Sequence, residues 1–294
     1  MPELPDIVVY IESLETRILG QVLERVKILN PFVLRSVTPP LEEAHGKPVS
    51  SLHRMGKRIV IGLQPDYFIV IHLMVAGRFR WLEARAKSPG KIGLASFHFA
   101  NGVLLLTEAG TKRLASIHFA KGRDALAAFD MQGLEVLDAE LTEFASRLTK
   151  ENHTLKRALT DPRSFSGIGN AYSDEILHRA KLSPIAQTQK LSSTEIEKLF
   201  HATQSTLRDW TERLRAQTRN KFPEKVTAFR PEMAVHGRFG LPCPVCASPV
   251  QRIVYANNET NYCARCQTGG VILADRALSR LLKKSWPRAI EDLK

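Results

Sequence analysis

Apolar residues near the start of the chain recur at intervals of three and four positions. This periodicity predicts an amphipathic helix over residues 6–19, and Gly20 is a suitable stop signal. The apolar positions that would share the buried face are Ile7, Tyr10, Ile11, Leu14, Ile18 and Leu19. The helix would begin directly after Pro2 and Glu3, so its positive end would lie beside them.

From residue 22 to about residue 120 the pattern changes to short apolar or alternating runs. We predict strands at residues 58–63, 67–74, 78–82, 95–100 and 103–106. Asn101-Gly102 is a strong hairpin signal. Several strands joined by short turns favour an antiparallel β-sandwich. Residues 83–93, which are rich in Lys, Pro and Gly, predict an exposed loop.

After residue 130 the periodicity becomes helical. The predicted helices cover residues 140–150, 154–159, 170–181 and 193–217. A domain boundary is expected within residues 130–141. The fold class is therefore α+β with several domains: an N-terminal helix, an antiparallel β-sandwich and a helical domain.

The chain of 294 residues carries 42 Lys and Arg against 30 Asp and Glu, a formal net charge of +12. This excess favours a polyanionic partner such as nucleic acid, and a solvated basic surface is the alternative. The sequence contains neither an apolar run long enough to cross a membrane nor a secretory signal. We therefore expect a cytoplasmic protein.

All four cysteines lie near the C-terminus, as two C-x2-C pairs separated by sixteen residues. The ligands are Cys243, Cys246, Cys263 and Cys266. This spacing is typical of a tetrahedral Zn²⁺ site, one ion per chain, and four protein thiolates leave no position for substrate. Residues 250–255 predict a strand and Asn257-Asn258 a turn, so the insert should form a β-hairpin finger.

Pro2 carries the first candidate chemistry. Removal of Met1 would leave a secondary amine, which can attack a carbonyl carbon and form a Schiff base. Glu3 is placed to transfer protons at such an intermediate. Many proteins begin with Met-Pro, however, and this segment alone does not distinguish the two readings.

A glycine-containing turn between two predicted helices carries the second candidate. Gly167 and Gly169 precede Asn170, which can cap the following helix, and exposed backbone N–H groups there would suit a phosphate. Lys156 on the preceding helix would add charge. A tight helix–helix turn without a ligand is the alternative.

Three motifs in one chain resemble the formamidopyrimidine-DNA glycosylase and endonuclease VIII family, over residues 2–266. They are Pro2-Glu3-Leu4-Pro5, Gly167-Ile168-Gly169-Asn170-x-Tyr172 and the four-cysteine finger, in this order. The resemblance implies a monomeric DNA repair enzyme that binds damaged or abasic-site DNA in a cleft between its domains. The implied domains are a β-sandwich at 1–130, a helix–two-turn–helix domain at 131–235, a zinc finger at 236–268 and a basic extension at 269–294.

The resemblance also implies roles for individual residues. Pro2 would attack C1′ of a damaged nucleotide, and Glu3 would assist opening of the deoxyribose ring. Lys57, Asn170 and Lys156 would contact phosphates. A flipped nucleotide leaves a gap in the duplex, which residues 72–77 (here called the wedge loop) would fill through Met74 and Val75. Residues 108–114 (the basic loop), with Lys112 and Arg113, would also contribute to DNA binding.

The chain departs from the family pattern at several positions. Asn258 stands where the finger tip usually has an arginine, Asp6 replaces a glutamate, and Met74 replaces a frequent glycine. A neutral amide gives a weaker bond to phosphate than a guanidinium does. The basic segment 267–294, with helical spacing at its leucines, is additional.

Three functions fit these features. The first is a bifunctional DNA glycosylase of base excision repair, which forms a Schiff base and cuts the strand by β-elimination. The second is an abasic-site (AP) lyase with little base excision, since Asp6 and Asn258 affect recognition and leave Pro2 and Glu3 intact. The third is a non-catalytic binder of damaged DNA, which would follow if Met1 stays attached.

Overall fold

The computed structural model describes residues 1–83, 90–110, 112–219, 221–224, 226–255, 258–282 and 286–292. The chain forms two compact units. The first contains residues 1–131 and 210–227, and the second contains residues 132–209 and 228–294.

The first unit opens with helix α1, Leu4–Ile18. The helix starts two residues earlier than predicted because Pro5 is compatible with the first turn, where its missing N–H costs nothing. Asp6 Oδ2 accepts the backbone N–H of Glu3 at 3.0 Å. This bond satisfies a backbone donor at the start of the helix and fixes the entry of the chain.

Nine strands of the first unit form two antiparallel sheets. They are β1 Val22–Leu23, β2 Arg25–Ile28, β3 Lys47–Met55, β4 Arg58–Leu63, β5 Tyr67–His72, β6 Gly77–Leu82, β7 Gly93–Phe99, β8 Gly102–Glu108 and β9 Ser116–Lys121. The sheet orders are β1-β3-β4-β5-β9 and β2-β7-β8-β6. Apolar side chains from both sheets and from α1 share one core, so the predicted sandwich is confirmed. The short helix α2, Arg123–Ala127, follows the last strand.

Residues 210–227 belong to the first unit, although the sequence assigned them to the helical domain. The cause is apolar packing, because Val226 is 8% exposed within the sandwich core. Phe222 packs against the same core, 5.9 Å from the ring of Tyr10. The four-part division of the chain at 130, 235 and 268 stays a prediction.

The second unit contains the helices and the finger. Its elements are α3 Leu141–Thr149, α4 Leu155–Thr160, α5 Asn170–Ala180, the first part of α6 Ser193–Thr218, β10 Gln251–Tyr255, β11 Asn258–Tyr262, α7 Ala264–Thr268 and α8 Arg276–Leu282. The four helices predicted from periodicity agree with α3–α6 to within a residue or two. Phe144 contacts Phe165 and Phe200 between these helices, with ring centroids 4.9 and 5.4 Å away.

Residues 270–292 (here called the extension) fold against the finger hairpin. Apolar side chains of the extension and of the hairpin share a small core formed by Ile253, Tyr262, Ala264, Ile272, Leu273 and Ile290. The N–H of Leu273 donates to the Tyr262 hydroxyl at 2.7 Å. Asp275, 2% exposed, accepts the backbone N–H of Val254 at 2.7 Å. The predicted helical segment is present as α8, but Leu281 is 76% exposed rather than buried.

Among the residues that the structure describes, no helix has both the length and the apolarity to cross a membrane.

Candidate functional site

The start of the chain is buried together with two carboxylates. Pro2 is buried, Glu3 is 1% exposed and Asp6 is 3% exposed. Both acidic side chains lie at the N-terminal end of α1, where the helix dipole favours negative charge. The bond from the Glu3 N–H to Asp6 commits one oxygen of Asp6 to the backbone. The structure therefore brings Pro2 and Glu3 together in a protected environment.

The amine at the chain start has an altered proton affinity. Burial lowers the pKa of the Met1 amine below its ordinary value. The charges of Glu3 and Asp6 act in the opposite direction, while those of Arg78 and Lys57 reinforce the lowering. Burial at the chain start therefore favours the neutral form of this amine.

Strand register brings three connections to the same edge of the sandwich. Arg58 pairs with His72, and His72 pairs with Ser116. Three connections are therefore neighbours at one edge of the first sheet: the turn that contains Lys57, the wedge loop and the basic loop. Gly77 pairs with Glu108, so the other ends of the two loops are neighbours in the second sheet.

Lys57 occupies the second position of a two-residue turn between β3 and β4. Gly56 precedes it with φ +61°, a conformation that a hairpin turn of this length requires and that glycine adopts at little cost. The turn holds the half-buried Lys57 close enough to the chain start to influence its amine. Lys57, Pro2 and Glu3 thus belong to one cluster.

The wedge loop presents a single exposed aliphatic side chain at its centre. Val75 is 60% exposed, whereas Met74 is half-buried. The Met74 N–H donates to His72 Nδ1 at 2.9 Å. Burial, with the nearby charges of Arg58, Lys57 and His118, lowers the pKa of His72 to about 4. His72 is therefore neutral at physiological pH and can accept this bond, which shapes the loop.

Met74 adopts φ +51°, in the left-handed region that favours glycine. A residue with a Cβ is strained in that region, which explains why a glycine is frequent at this position in the family pattern described above. Gly77 closes the loop, since a Cβ there would overlap the Leu73 carbonyl.

Replacing Met74 with Gly should relieve this strain. We expect Met74→Gly to leave the loop shape unchanged and to raise the free energy of unfolding by up to about 1 kcal/mol, since removal of left-handed strain outweighs the flexibility gained by the unfolded chain. Urea unfolding measures the difference. Val75→Gly is the control, since Val75 lacks a positive φ and should lose stability. A destabilised Met74→Gly protein would show that the Met74 side chain contributes more than its backbone costs.

The basic loop is organised by a buried carboxylate. Glu108 is 1% exposed, and its Oε2 accepts the N–H groups of Leu114 and Ala115 at 2.8 and 3.0 Å. Lys112 is exposed, while Arg113 donates to the Lys91 carbonyl at 2.6 Å. Of the two predicted DNA contacts, Lys112 is therefore the more available. Thr111, in the same loop, lies outside the described residues.

In the second unit Lys156 is enclosed rather than presented to solvent. Its side chain is 5% exposed, and Nζ donates to Asp174 Oδ1 at 2.5 Å and to the Asn170 carbonyl at 2.7 Å. The side-chain amide of Asn170 donates to the Glu259 carbonyl on β11 at 2.9 Å. The predicted phosphate contact of Lys156 disagrees with this burial, because its ammonium is already paired with a carboxylate inside the protein.

A buried polar network joins α5 to the finger, and the sequence analysis missed it. Asp174, which is fully buried, also contacts His236 Nδ1 at 2.8 Å and accepts the Asn261 N–H at 3.2 Å. Glu175 accepts three backbone N–H groups from residues 234–236 at 2.7–2.9 Å. Burial raises the pKa of Glu175, and these three donors partly offset the rise. The network fixes the Asn170 turn relative to the finger.

The four cysteine sulfurs converge on one point. All four Sγ atoms lie within 4.8 Å of one another, and the Cys246–Cys263 and Cys243–Cys266 pairs are 3.4 and 4.0 Å apart. A tetrahedral Zn²⁺ with bonds of about 2.3 Å requires sulfur separations of about 3.8 Å. The residues present therefore fit a structural metal ion. His178 Nε2 lies 3.3 Å from Cys243 Sγ and would support that ligand.

The finger hairpin differs from the prediction at Asn258. Tyr255 pairs with Asn258, so Asn258 belongs to β11 and not to the turn. Residues 256–257 and the side chain of Asn258 lie outside what the structure describes. Arg252, a candidate substitute for a tip arginine, lies over the Phe239 ring at 4.2 Å and contacts Glu259 at 3.2 Å.

His72 and Arg78, in the first unit, were also missed as site residues. His72 had a sequence signal, because it begins the wedge loop and is followed by Leu73. Arg78 had none, since a single cation at the start of a predicted strand is ordinary.

Comparison with protein families finds three matches along the chain. Residues 1–117 match the formamidopyrimidine-DNA glycosylase N-terminal domain, residues 133–220 match the H2TH domain of the same enzymes, and residues 240–269 match the zinc finger found in FPG and IleRS. Residues 270–294 lie outside all three regions.

Individual proteins that are similar to this chain carry the same family name. Formamidopyrimidine-DNA glycosylase of Thermus thermophilus is 31% identical over 281 residues, covering 92% of this chain and all of that one. An uncharacterised formamidopyrimidine-DNA glycosylase-like protein of Mycobacterium tuberculosis is 43% identical over 152 residues, which cover 51% of this chain and 94% of that protein. The crystal structure of Lactococcus lactis Fpg with DNA containing an oxidised pyrimidine has a TM-score of 0.80 at 25% identity, covering 91% and 100% of the two chains.

Proposed function

Because the chain belongs to the formamidopyrimidine-DNA glycosylase family and is thereby a DNA repair glycosylase, we propose that it removes damaged bases and then cuts the strand as an AP lyase, acting as a monomer through Pro2. The observation that carries this proposal is the buried pair Pro2 and Glu3, with the half-buried Lys57 near the chain start, at the edge of the sandwich that also bears the wedge loop. The resemblance noted from the sequence motifs is the same family, so that prediction is confirmed.

Access to the sugar is the first requirement of the reaction. Inside a duplex, C1′ is shielded, so the damaged nucleotide must rotate out of the stack at a cost of a few kcal/mol. Val75, exposed at the centre of the wedge loop, would occupy the vacated space, with Met74 supporting it from a half-buried position. Lys57, Lys112 and Asn170 would hold the backbone phosphates, which fixes the register of the DNA without reading its sequence.

The chemistry then follows from a neutral amine. The lone pair of the Pro2 nitrogen, once Met1 is removed, forms a bond to C1′ while the glycosidic bond breaks and its electron pair leaves with the base. Glu3 would take up the proton that the Pro2 nitrogen loses and pass it to the ring oxygen, as the deoxyribose opens to an iminium ion. The iminium acidifies C2′, and loss of a C2′ proton expels the 3′ phosphate. Water finally releases the unsaturated aldehyde and regenerates the amine.

The four-cysteine site would hold Zn²⁺, which supplies a structural anchor for the hairpin and no chemistry. Lys156, Asp174 and His236 would keep the Asn170 turn in position beside it. We assign Lys156 this internal role because its ammonium is buried.

A second candidate is an AP lyase with little base excision. It is favoured by the Asp6 carboxylate, which is bonded to the Glu3 N–H and 3% exposed, and is thus withdrawn from contact with a base. This version uses the same amine and the same β-elimination and differs only in the substrate it accepts.

Duplex oligonucleotides that each carry one defined lesion separate these possibilities. The bifunctional enzyme would cut at one or more oxidised bases and at abasic sites, leaving a 3′ unsaturated aldehyde. The AP lyase would cut only at abasic sites. A protein that binds every lesion duplex and cuts none would contradict both proposals and support a binding function.

A further inference from the structure

Arg78, at the start of β6, joins two separate stretches of backbone through three carbonyls. Its Nη1 donates to the carbonyls of Val75 and Gly77, at 3.1 and 2.6 Å. Its Nε donates to the carbonyl of Val226, a residue 148 positions away along the chain. A guanidinium can do this because its donors are fixed in a planar fork that points in several directions at once.

These contacts restrain the wedge loop at its exposed residue, Val75, because the Val75 carbonyl accepts one of the hydrogen bonds. Val75 is 60% exposed, so few packing contacts restrain it. Val226, by contrast, is 8% exposed and packs within the sandwich core. Arg78 therefore links the most exposed residue of the loop to a residue of the core.

Arg78 also lies near the helix that follows the chain start, since the N–H of the adjacent Phe79 donates to the Tyr10 hydroxyl of α1 at 3.3 Å. Four charged groups act on the amine there: Glu3 and Asp6 favour its protonation, and Arg78 and Lys57 oppose it. Arg78 is the larger of the two opposing charges. A positive charge in this position favours the neutral, nucleophilic form of the amine.

We propose that Arg78 is a positioning residue for the reaction, which fastens the wedge loop to the Val226 backbone and places positive charge beside the amine that attacks the sugar. The electrostatic half of this inference, the charge beside the amine, rests on the proposed function, because that charge affects the reaction only if the amine is the nucleophile. The positioning half, the restraint of the wedge loop, concerns DNA binding alone.

Two substitutions separate the two halves. Arg78→Lys keeps the charge but not the fork, since the three donors of an ammonium share one nitrogen and cannot replace the separate Nε and Nη1 bonds. Arg78→Gln removes the charge as well. Arg80→Gln is the matched control, because Arg80 is an exposed cation two residues further along β6 and takes no part in the site.

The first measurement is the pH dependence of borohydride trapping on abasic-site DNA. Loss of a nearby positive charge raises the pKa of the amine, so the acid limb of the Arg78→Gln profile should move to higher pH. The limb should stay in place for Arg78→Lys and Arg80→Gln. An unmoved limb in Arg78→Gln, or an equal shift in Arg80→Gln, would overturn the electrostatic half.

The second measurement is the dissociation constant for duplex DNA carrying a non-reactive abasic-site analogue. Both Arg78 variants should bind about tenfold more weakly, because each loses hydrogen bonds that hold the loop, while Arg80→Gln should not. Wild-type affinity in both Arg78 variants would overturn the positioning half. If the wild-type protein fails to trap at all, the proposed function fails, and the affinity comparison still decides the positioning role.

Discussion

Protein that retains any residue ahead of Pro2 will form no borohydride-stable adduct with abasic-site DNA, whereas the processed protein will. In the retained form the Pro2 nitrogen is a tertiary amide, whose lone pair is delocalised into the carbonyl and cannot attack C1′. After removal of Met1 the same atom is a secondary amine beside Glu3. We expect strand cleavage to fall roughly a thousandfold or more when the amine is blocked, as when a nucleophile is removed.

Mass spectrometry of the intact protein must accompany this measurement, because it reports which start the chain has. Pro2→Gly is the matched control: it preserves an N-terminal amine and should retain part of the trapping. The blocked protein should still bind lesion DNA, since the residues proposed to contact phosphates are unchanged. An adduct formed by Met1-retaining protein would assign the nucleophile elsewhere, and the α-amine of Met1 would be the first group to test, because burial lowers its pKa.

Removal of the finger metal should produce the second large loss, in DNA affinity. The four sulfurs lie within 4.8 Å of one another and Cys263 is fully buried, so loss of the metal bonds that join them removes what fixes the base of the hairpin. We expect chelation, or Cys263→Ser, to weaken binding of abasic-site duplex about a hundredfold, because the hairpin loses its fixed position. The sandwich has its own core and should stay folded.

The control for this experiment is restoration. Adding Zn²⁺ back to the chelated wild-type protein should recover affinity, whereas it should recover little in Cys263→Ser. Metal content is measured on the same samples, and near-UV circular dichroism reports the sandwich. Unchanged affinity in protein shown to be metal-free would mean that the finger contributes nothing to DNA binding.

Helices of this chain could be predicted closely from the sequence, and strands less well. The helices carry apolar residues at regular helical intervals, which a single window can detect. Strand β3 was missed because its Ser50, Ser51, His53 and Arg54 interrupt the alternation. Strand β9 was also missed, although Ser116 and His118 alternate with its buried residues in the pattern of a half-buried strand.

The residues of the candidate site also differ in how well they can be predicted from the sequence. Pro2, Glu3 and the four cysteines could be chosen because their chemistry depends on local spacing. The enclosure of Lys156 could not, since its partner Asp174 is 18 positions away and His236 is 80 positions away. The contact of Arg78 with Val226 spans an even longer separation. Such interactions arise from tertiary packing, which no sequence window contains.

The extension changes how this protein can be shortened in the laboratory. Cutting the chain after residue 269, where the matched zinc-finger region ends, would expose Ile253 and Tyr262 on one side of the hairpin. It would also leave the Val254 N–H without the carboxylate of Asp275. A bare apolar strand with an unpaired donor is prone to aggregation. A truncated version made for crystallisation would therefore be less soluble than the full chain, for reasons unrelated to catalysis.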